Sequence, residues 1–214
     1  MSDVLAVRPA DDGDRESVAT VLAAAFEADP IMRWAFPDDA VRRIRLTAMW
    51  DMIGGEGYLP LGGSTVIHDA AAALWMPPGL ALGEAFWAER GERFALALEG
   101  EVERIGSMGE AMAAHHPRER DHWYLMAIGV APPAQGRSLG GALLAHTLAQ
   151  ADADGRPAYL EATSTRSAAL YARFGFELLA QFDPAPGAPP MWAMRREPMP
   201  PALLPPGRSG QEGQ

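Results

Sequence analysis

Apolar positions along the chain follow two rhythms. Val18, Val21, Leu22, Ala25 and Phe26 recur at the three-and-four spacing of an amphipathic helix over residues 15–27. Pro30 breaks that helix, and a short second one over 31–36 is stopped by Pro37-Asp38. Asp38 or Asp39 can cap a third, running to about residue 53, where Gly54-Gly55 ends it. A first strand is predicted at 4–9, and two hairpin-like strands at 64–68 and 71–75, closed by Pro77-Pro78. Helices over 82–99 and 102–115 follow. The run Leu125-Met126-Ala127-Ile128-Gly129-Val130-Ala131, bounded by Pro132-Pro133, reads as a core strand, and a glycine-rich turn leads into a helix to about residue 153. A strand at 158–162, a short helix, and an antiparallel pair at 176–182 and 191–196 complete the pattern, with the proline-rich loop 183–190 joining the pair. Residues 1–197 read as a single domain, and the Pro/Gly-rich tail 198–214 is expected to be disordered.

Composition narrows the functional classes. At 214 residues the chain suits one full-sized domain. A formal net charge of −10 disfavours nucleic acid and anionic membrane surfaces as partners, and is compatible with a cationic amine. There is no cysteine, so no disulfide and no thiolate metal site, and no metal is expected. No apolar stretch resembles a signal peptide or reaches membrane-spanning length, so a cytoplasmic location is the simple expectation.

Candidate chemistry concentrates at 125–141. Strand, glycine loop Gln135-Gly136-Arg137-Ser138-Leu139-Gly140-Gly141, then helix: this order presents unpaired backbone N–H groups at the positive end of a helix dipole, a site for phosphate or pyrophosphate. The spacing is not that of a nucleoside-triphosphatase loop, and the chain has no lysine. It is not the dinucleotide pattern either. An ordinary glycine turn without a ligand remains the alternative on the loop alone. Downstream, strand 158–162 meets the polar turn Thr163-Ser164-Thr165-Arg166, followed by Ser167-Ala168-Ala169-Leu170-Tyr171-Ala172-Arg173-Phe174-Gly175-Phe176.

These two stretches resemble the GNAT acetyltransferases. The loop is similar to that family's Gln/Arg-x-x-Gly-x-Gly/Ala pattern, with Ser138 where glycine is usual; serine still has its N–H and can cap the helix. The second stretch resembles the family helix ending in Tyr-x-x-x-Gly-Phe. Weaker similarities point to the branch that includes puromycin N-acetyltransferase: Val7-Arg8-Pro9-Ala10, residues 73–78, His116-Pro117-Arg118 and residues 192–196. The resemblance implies an α/β (α+β) fold, the GNAT fold. Its central sheet is mixed, mostly antiparallel and of about seven strands, flanked by helices, with CoA bound at a splayed strand pair. It implies acetyl-CoA as co-substrate and acetyl transfer to an amine. Loop residues 135–141 would hold the pyrophosphate, and Ile128, Gly129 and Val130 would pair with the pantetheine, Gly129 suiting a bulge. Ser164 or Ser167 stands where the family often has asparagine. Tyr171 would act as general acid toward the leaving thiolate.

Other roles are read from the residues. Glu161, near the end of its strand, is a candidate base or one arm of an internal salt bridge. His115, His116, Asp121 and His122 flank the core strand and are read as structural. Asp29 and Trp34 in the first helices and Trp75 on strand 71–75 are candidates for the acceptor pocket, with two of Phe26, Trp34 and Trp75 expected in the core. The loop 183–190 would form one wall, and the helices near 82–115 would cover the pocket. A small-molecule amine is the expected partner, and a homodimer is left open. A non-catalytic acyl-CoA sensor and a protein N-terminal acetyltransferase are the alternatives.

Overall fold

The structure is a computed structural model, and it describes residues 6–98, 100–119 and 121–199. The expected strand residues 4 and 5, and the tail from residue 200, lie outside the described residues. Seven strands form one sheet: β1 (Arg8–Pro9), β2 (Thr65–Ile67), β3 (Ala71–Met76), β4 (Trp123–Val130), β5 (Ala158–Ala162), β6 (Glu177–Phe182) and β7 (Met191–Arg196). Their order is β1-β2-β3-β4-β5-β7-β6, and every pairing is antiparallel except β4 with β5.

Seven α-helices accompany the sheet among the described residues: α1 (Arg15–Phe26), α2 (Pro30–Ala35), α3 (Arg42–Trp50), α4 (Glu84–Leu98), α5 (Val102–His115), α6 (Leu139–Ala153) and α7 (Thr165–Ala172). Alternation along β3 sorts the core. Ala72, Leu74 and Met76 join the cluster built with α1, α3 and α5, while Ala71, Ala73 and Trp75 join the cluster under α6 and α7.

Two local features depart from the expected pattern. Helix α3 does not end at Gly54-Gly55 but runs on as a π-helix, Asp51–Tyr58. Glycine there serves close packing: a Cβ at Gly55 would lie 2.6 Å from the Arg15 side chain. The second feature is a β-bulge. Leu74 and Trp75 of β3 pair with Ala127 and Leu125, leaving Met126 as the extra residue on β4. The bulge is therefore at Met126, not at Gly129. Gly129 is required for another reason: a Cβ there would sit 2.7 Å from the Cβ of Ala25, so the glycine lets α1 lie against the strand.

The β4–β5 ladder is short. Its pairs are Trp123–Ala158, Tyr124–Tyr159 and Leu125–Leu160. Beyond them the two strands part, and the β5-facing edge of residues 126–130 is left without a strand partner. Helix α7 sits by this gap and is firmly tied. Phe176 N–H donates to the Tyr171 carbonyl (3.2 Å) and Gly175 N–H to that of Ala172 (3.0 Å), a Schellman closure with Gly175 at φ 86°. Phe176 then packs edge-on against the Tyr171 ring. The Tyr-x-x-x-Gly-Phe spacing is thus the sequence of a helix C-cap. Buried Arg196 clamps the same corner, donating two bonds of 2.7 Å to Asp152 at the end of α6 and one of 2.8 Å to the Phe174 carbonyl.

Candidate active site

Two cavities meet at Met126, which lines both. The first, about 500 Å³, is the cleft where β4 and β5 part. Ile128, Gly129, Val130, Gln135, Gly136, Ser138, Leu139, Gly140 and Gly141 line it, together with Asp29, Glu161, Ser164, Ser167 and Tyr171. Of the expected loop residues only Arg137 does not, its side chain being exposed. Gln135 is held by a 3.1 Å bond from its amide nitrogen to the Val130 carbonyl. The N–H groups of the first turn of α6 have no intrahelical acceptor and are free to bind an anion. Two arginines not singled out in the sequence, Arg166 and Arg173, also line the cleft. They sit seven apart across α7, two turns of one face, a spacing that could have exposed them. Loop N–H groups, two guanidiniums and an unpaired strand edge together fit the phosphates and extended amide arm of CoA.

Ser138 behaves differently from expectation. It occupies the N-cap position, but its side chain makes no cap bond and its backbone is left-handed, φ 60°. Glycine is the usual residue in such a conformation. Ser164 and Ser167 do line the cleft, but their hydroxyls also form a reciprocal capping box: Ser167 N–H donates to Ser164 Oγ (3.1 Å) and Ser164 N–H to Ser167 Oγ (3.2 Å). Their first task is to start α7 and so aim Tyr171.

Tyr171 is buried, and among the described residues nothing hydrogen-bonds its hydroxyl. Burial raises its pKa and the Asp29 charge adds to the rise, so it remains a phenol across the ordinary pH range. Asp29 lines the cleft as a half-buried carboxylate. It caps α2, accepting from Ile31 N–H (2.9 Å) and Met32 N–H (3.2 Å), and its other oxygen accepts from Thr163 Oγ1 at 2.5 Å. Burial raises its pKa, opposed by these bonds.

Glu161 lies between the cavities, its side chain 1% exposed. Oε2 accepts a 2.9 Å bond from Tyr124, whereas Oε1 has no hydrogen-bond partner. Burial, then the Glu161 charge, lifts the Tyr124 pKa well above its ordinary value, so Tyr124 stays a donor. Oε1 faces His116 Nδ1 at 3.8 Å. His116 and His122 join through their Nε2 atoms at 3.1 Å, and His122 Nδ1 lies 2.9 Å from the Glu119 carbonyl. A carbonyl only accepts, so His122 Nδ1 carries a proton. His116 and His122 thus share one hydrogen bond, and the other ring nitrogen of His116 faces Oε1 across a gap longer than a hydrogen bond. The structural reading of the histidines holds for His115, stacked on Phe182 at 3.9 Å, and Asp121 is taken up by Arg156. His116 and His122 bond to each other, and His116 lies beside Glu161.

The second cavity, about 630 Å³, lies beneath α4 and α5 and is floored by the π-helix, the end of β3 at Met76 and the start of β4 at Tyr124. The expected acceptor residues are elsewhere. Trp34 packs against the first core, with its carbonyl accepting from Arg104 (2.8 Å), and Trp75 is fully buried in the second core, edge-on to Trp123. Phe26, like Trp34, packs half-buried against the first core, and it also lines the cleft. Loop 183–190 lines neither cavity. Helix α4 is held over the chamber by Glu56, which accepts from Arg90 Nε (2.7 Å), Arg93 (2.6 Å) and Arg15 (2.8 Å).

A mixed sheet parted at its one parallel pair, with a glycine loop at the mouth of the gap, is the frame of an acyltransferase that takes its acyl group from CoA. The chain belongs to the acetyltransferase (GNAT) family, whose pattern matches residues 67–176. The solved structure of a Corynebacterium glutamicum protein described as histone acetyltransferase HPA2 and related acetyltransferase is 30% identical, covering 92% of this chain and 98% of that one at a TM-score of 0.70. Arylalkylamine N-acetyltransferase 2 of Aedes aegypti is 13% identical, covering 90% and 98% at 0.60. The polyamine N-acetyltransferase of Drosophila melanogaster is 20% identical, covering 90% and 99% at 0.57. The last two share the fold alone.

Proposed function

We propose that this GNAT chain transfers the acetyl group of acetyl-CoA to the primary amine of a small molecule by direct attack. One observation carries the reading: Tyr171 and Glu161, whose Oε1 has no hydrogen-bond partner, line the same cleft as the glycine loop, where β4 and β5 part. Bound acetyl-CoA supplies a thioester carbonyl and a thiol leaving group. Residues 135–141, Arg166 and Arg173 hold its phosphates, and the free edge of Ile128–Gly129–Val130 holds its arm and offers a backbone N–H to the developing oxyanion. Tyr171, kept protonated by burial, donates its hydrogen bond to the departing sulfur. Glu161, with Tyr124 fixed on Oε2, takes the amine proton at Oε1, and His116 and His122 offer that proton a way out through the second cavity. Trp34 and Trp75 leave the acceptor site in this reading, and Asp29 moves from substrate binding to positioning Thr163 and tuning Tyr171.

Kinship with the branch of puromycin N-acetyltransferase belongs to the proposal too. It is supported by the place of two of its segments, since Met76-Pro77 and His116-Pro117-Arg118 line the chamber. A cytoplasmic location belongs to the proposal as well. Among the described residues no helix is long and apolar enough to cross a membrane. Thiol release from acetyl-CoA, measured over a panel of primary amines, tests the reading; acetyl-CoA that binds without turning over on any amine would leave a sensor in its place.

A further inference from the structure

The chamber under α4 and α5 is the largest cavity described, and its lining is one-sided. Met76, Met108, Met112, Met126, Trp87 and Phe94 supply an apolar, deformable wall. Tyr58, Tyr124, His116 and His122 gather at the end nearest Glu161. Among the described residues no carboxylate lines it, and the one permanently charged lining side chain is the cation Arg118. Leu80, Trp87 and Val102, 42%, 39% and 42% exposed, bring apolar surface out to the mouth. Gly106 and Gly109 on α5 also line the chamber, and a Cβ on either would meet nothing within 4 Å. Neither glycine has a positive φ, and glycine inside a helix is destabilising relative to alanine. Nothing among the described residues needs them small; an occupant of the chamber would.

We infer that the chamber takes the body of the acceptor, and that the acceptor is a primary monoamine bearing a large apolar group. The inference rests on the N-acetyltransferase reading above. The amine end is directed past His116 toward Glu161 Oε1, which lines the adjoining cleft 3.8 Å from His116 Nδ1. A second ammonium or a guanidinium on the same molecule would lie in an apolar chamber beside Arg118 with no counter-charge, so diamines and polyamines are disfavoured.

The test uses the full chain. Turnover is measured with methylamine, butylamine, octylamine, 2-phenylethylamine and the α,ω-diamine matching octylamine. Binding of the same amines is measured by calorimetry without acetyl-CoA. kcat/KM should rise at least about tenfold from methylamine to octylamine, and the diamine should fall at least about tenfold below octylamine. Gly109→Leu fills the chamber and should cost octylamine at least about tenfold more than methylamine, with weaker octylamine binding; Gly109→Ala, which favours the helix, should show the same preference in smaller measure. A diamine as good as octylamine, or equal losses for large and small amines in Gly109→Leu, overturns the inference while leaving acetyl transfer standing. Octylamine bound in the chamber with no thiol released from bound acetyl-CoA overturns the catalytic reading instead and supports the chamber's preference.

Discussion

The cleft beside β4 draws almost all its lining from two short stretches, residues 125–141 and 161–173, whereas the chamber beneath α4 and α5 gathers residues from 53 to 126 across five elements. The cleft is rich in backbone N–H groups, hydroxyls and arginines. The chamber is methionine, aromatic rings and glycine. A CoA thioester is the same molecule for every user, so its holder can be a fixed local motif. An apolar amine offers few polar handles, and a chamber for it is made of residues that elsewhere form a core. Met126, expelled from the β4 ladder by the bulge, stands at the boundary between the two.

Changes on the cleft side should produce the largest effects. Gly140→Glu places a carboxylate where the pyrophosphate is proposed to lie. The fold has room for it, since a Cβ at Gly140 meets only Val130 at 3.6 Å. Calorimetry should show acetyl-CoA affinity lost and circular dichroism an intact fold; unchanged affinity would remove the loop from the site. Tyr171→Phe should lower kcat by about a hundred- to ten-thousandfold with little change in acetyl-CoA affinity, because the phenol acts on the leaving sulfur. Normal turnover would mean that the thiolate leaves by another route.

At the boundary, Glu161→Gln keeps an acceptor for Tyr124 but no longer takes a proton. Steady-state kinetics should show kcat down by about a hundredfold with both substrates still bound. An unimpaired variant would hand the proton to water.

The chamber side responds more gently. Glu56 ties α4 down, and the hydrogen bond from Arg93 first, then those from Arg90 and Arg15, hold its pKa at about 2. Its folded value lies below the ordinary carboxylate value of about 4.3, so the tie is complete above that pH and is lost as the pH falls toward the folded value. At neutral pH, Glu56→Gln should raise KM for the amine about two- to fivefold, the range of partly exposed ion pairs, and leave that for acetyl-CoA alone. Equal rises for both substrates would deny α4 a role specific to the chamber. Smallest of all, Ser138→Gly relieves a left-handed serine worth about 1 kcal/mol and should raise the melting temperature by about 2–4 °C without weakening acetyl-CoA.

The same contrast explains what was legible in the chain. The positions of strands and helices along the chain follow from periodicity, proline and glycine, whereas the sheet and most residues of the cleft follow only from the resemblance of two contiguous motifs. Trp75 and Trp34 were chosen for their rings, but strand parity decides: Trp75 points to the α6 side, and its neighbour Met76 reaches the chamber. His116 and His122 are six apart and separated by a turn, so neither looks like half of a pair. Gly54-Gly55 reads as a helix stop, yet close packing against Arg15 turns it into a π-helix. Ser138 was given a capping hydroxyl, whereas its backbone conformation leaves the side chain uninvolved.

On the proposed reading, two cavities of opposite character that share Met126 bring one acetyl donor and one apolar amine together beside Glu161. A crystal structure with CoA and octylamine bound is the most direct measurement. The pyrophosphate should lie on residues 135–141, the thiol beside the Tyr171 hydroxyl, the amine nitrogen near Glu161 and His116, and the alkyl chain among Met108, Met112 and Trp87. An alkyl chain lying outside the chamber, or a thiol remote from Tyr171, would contradict that reading.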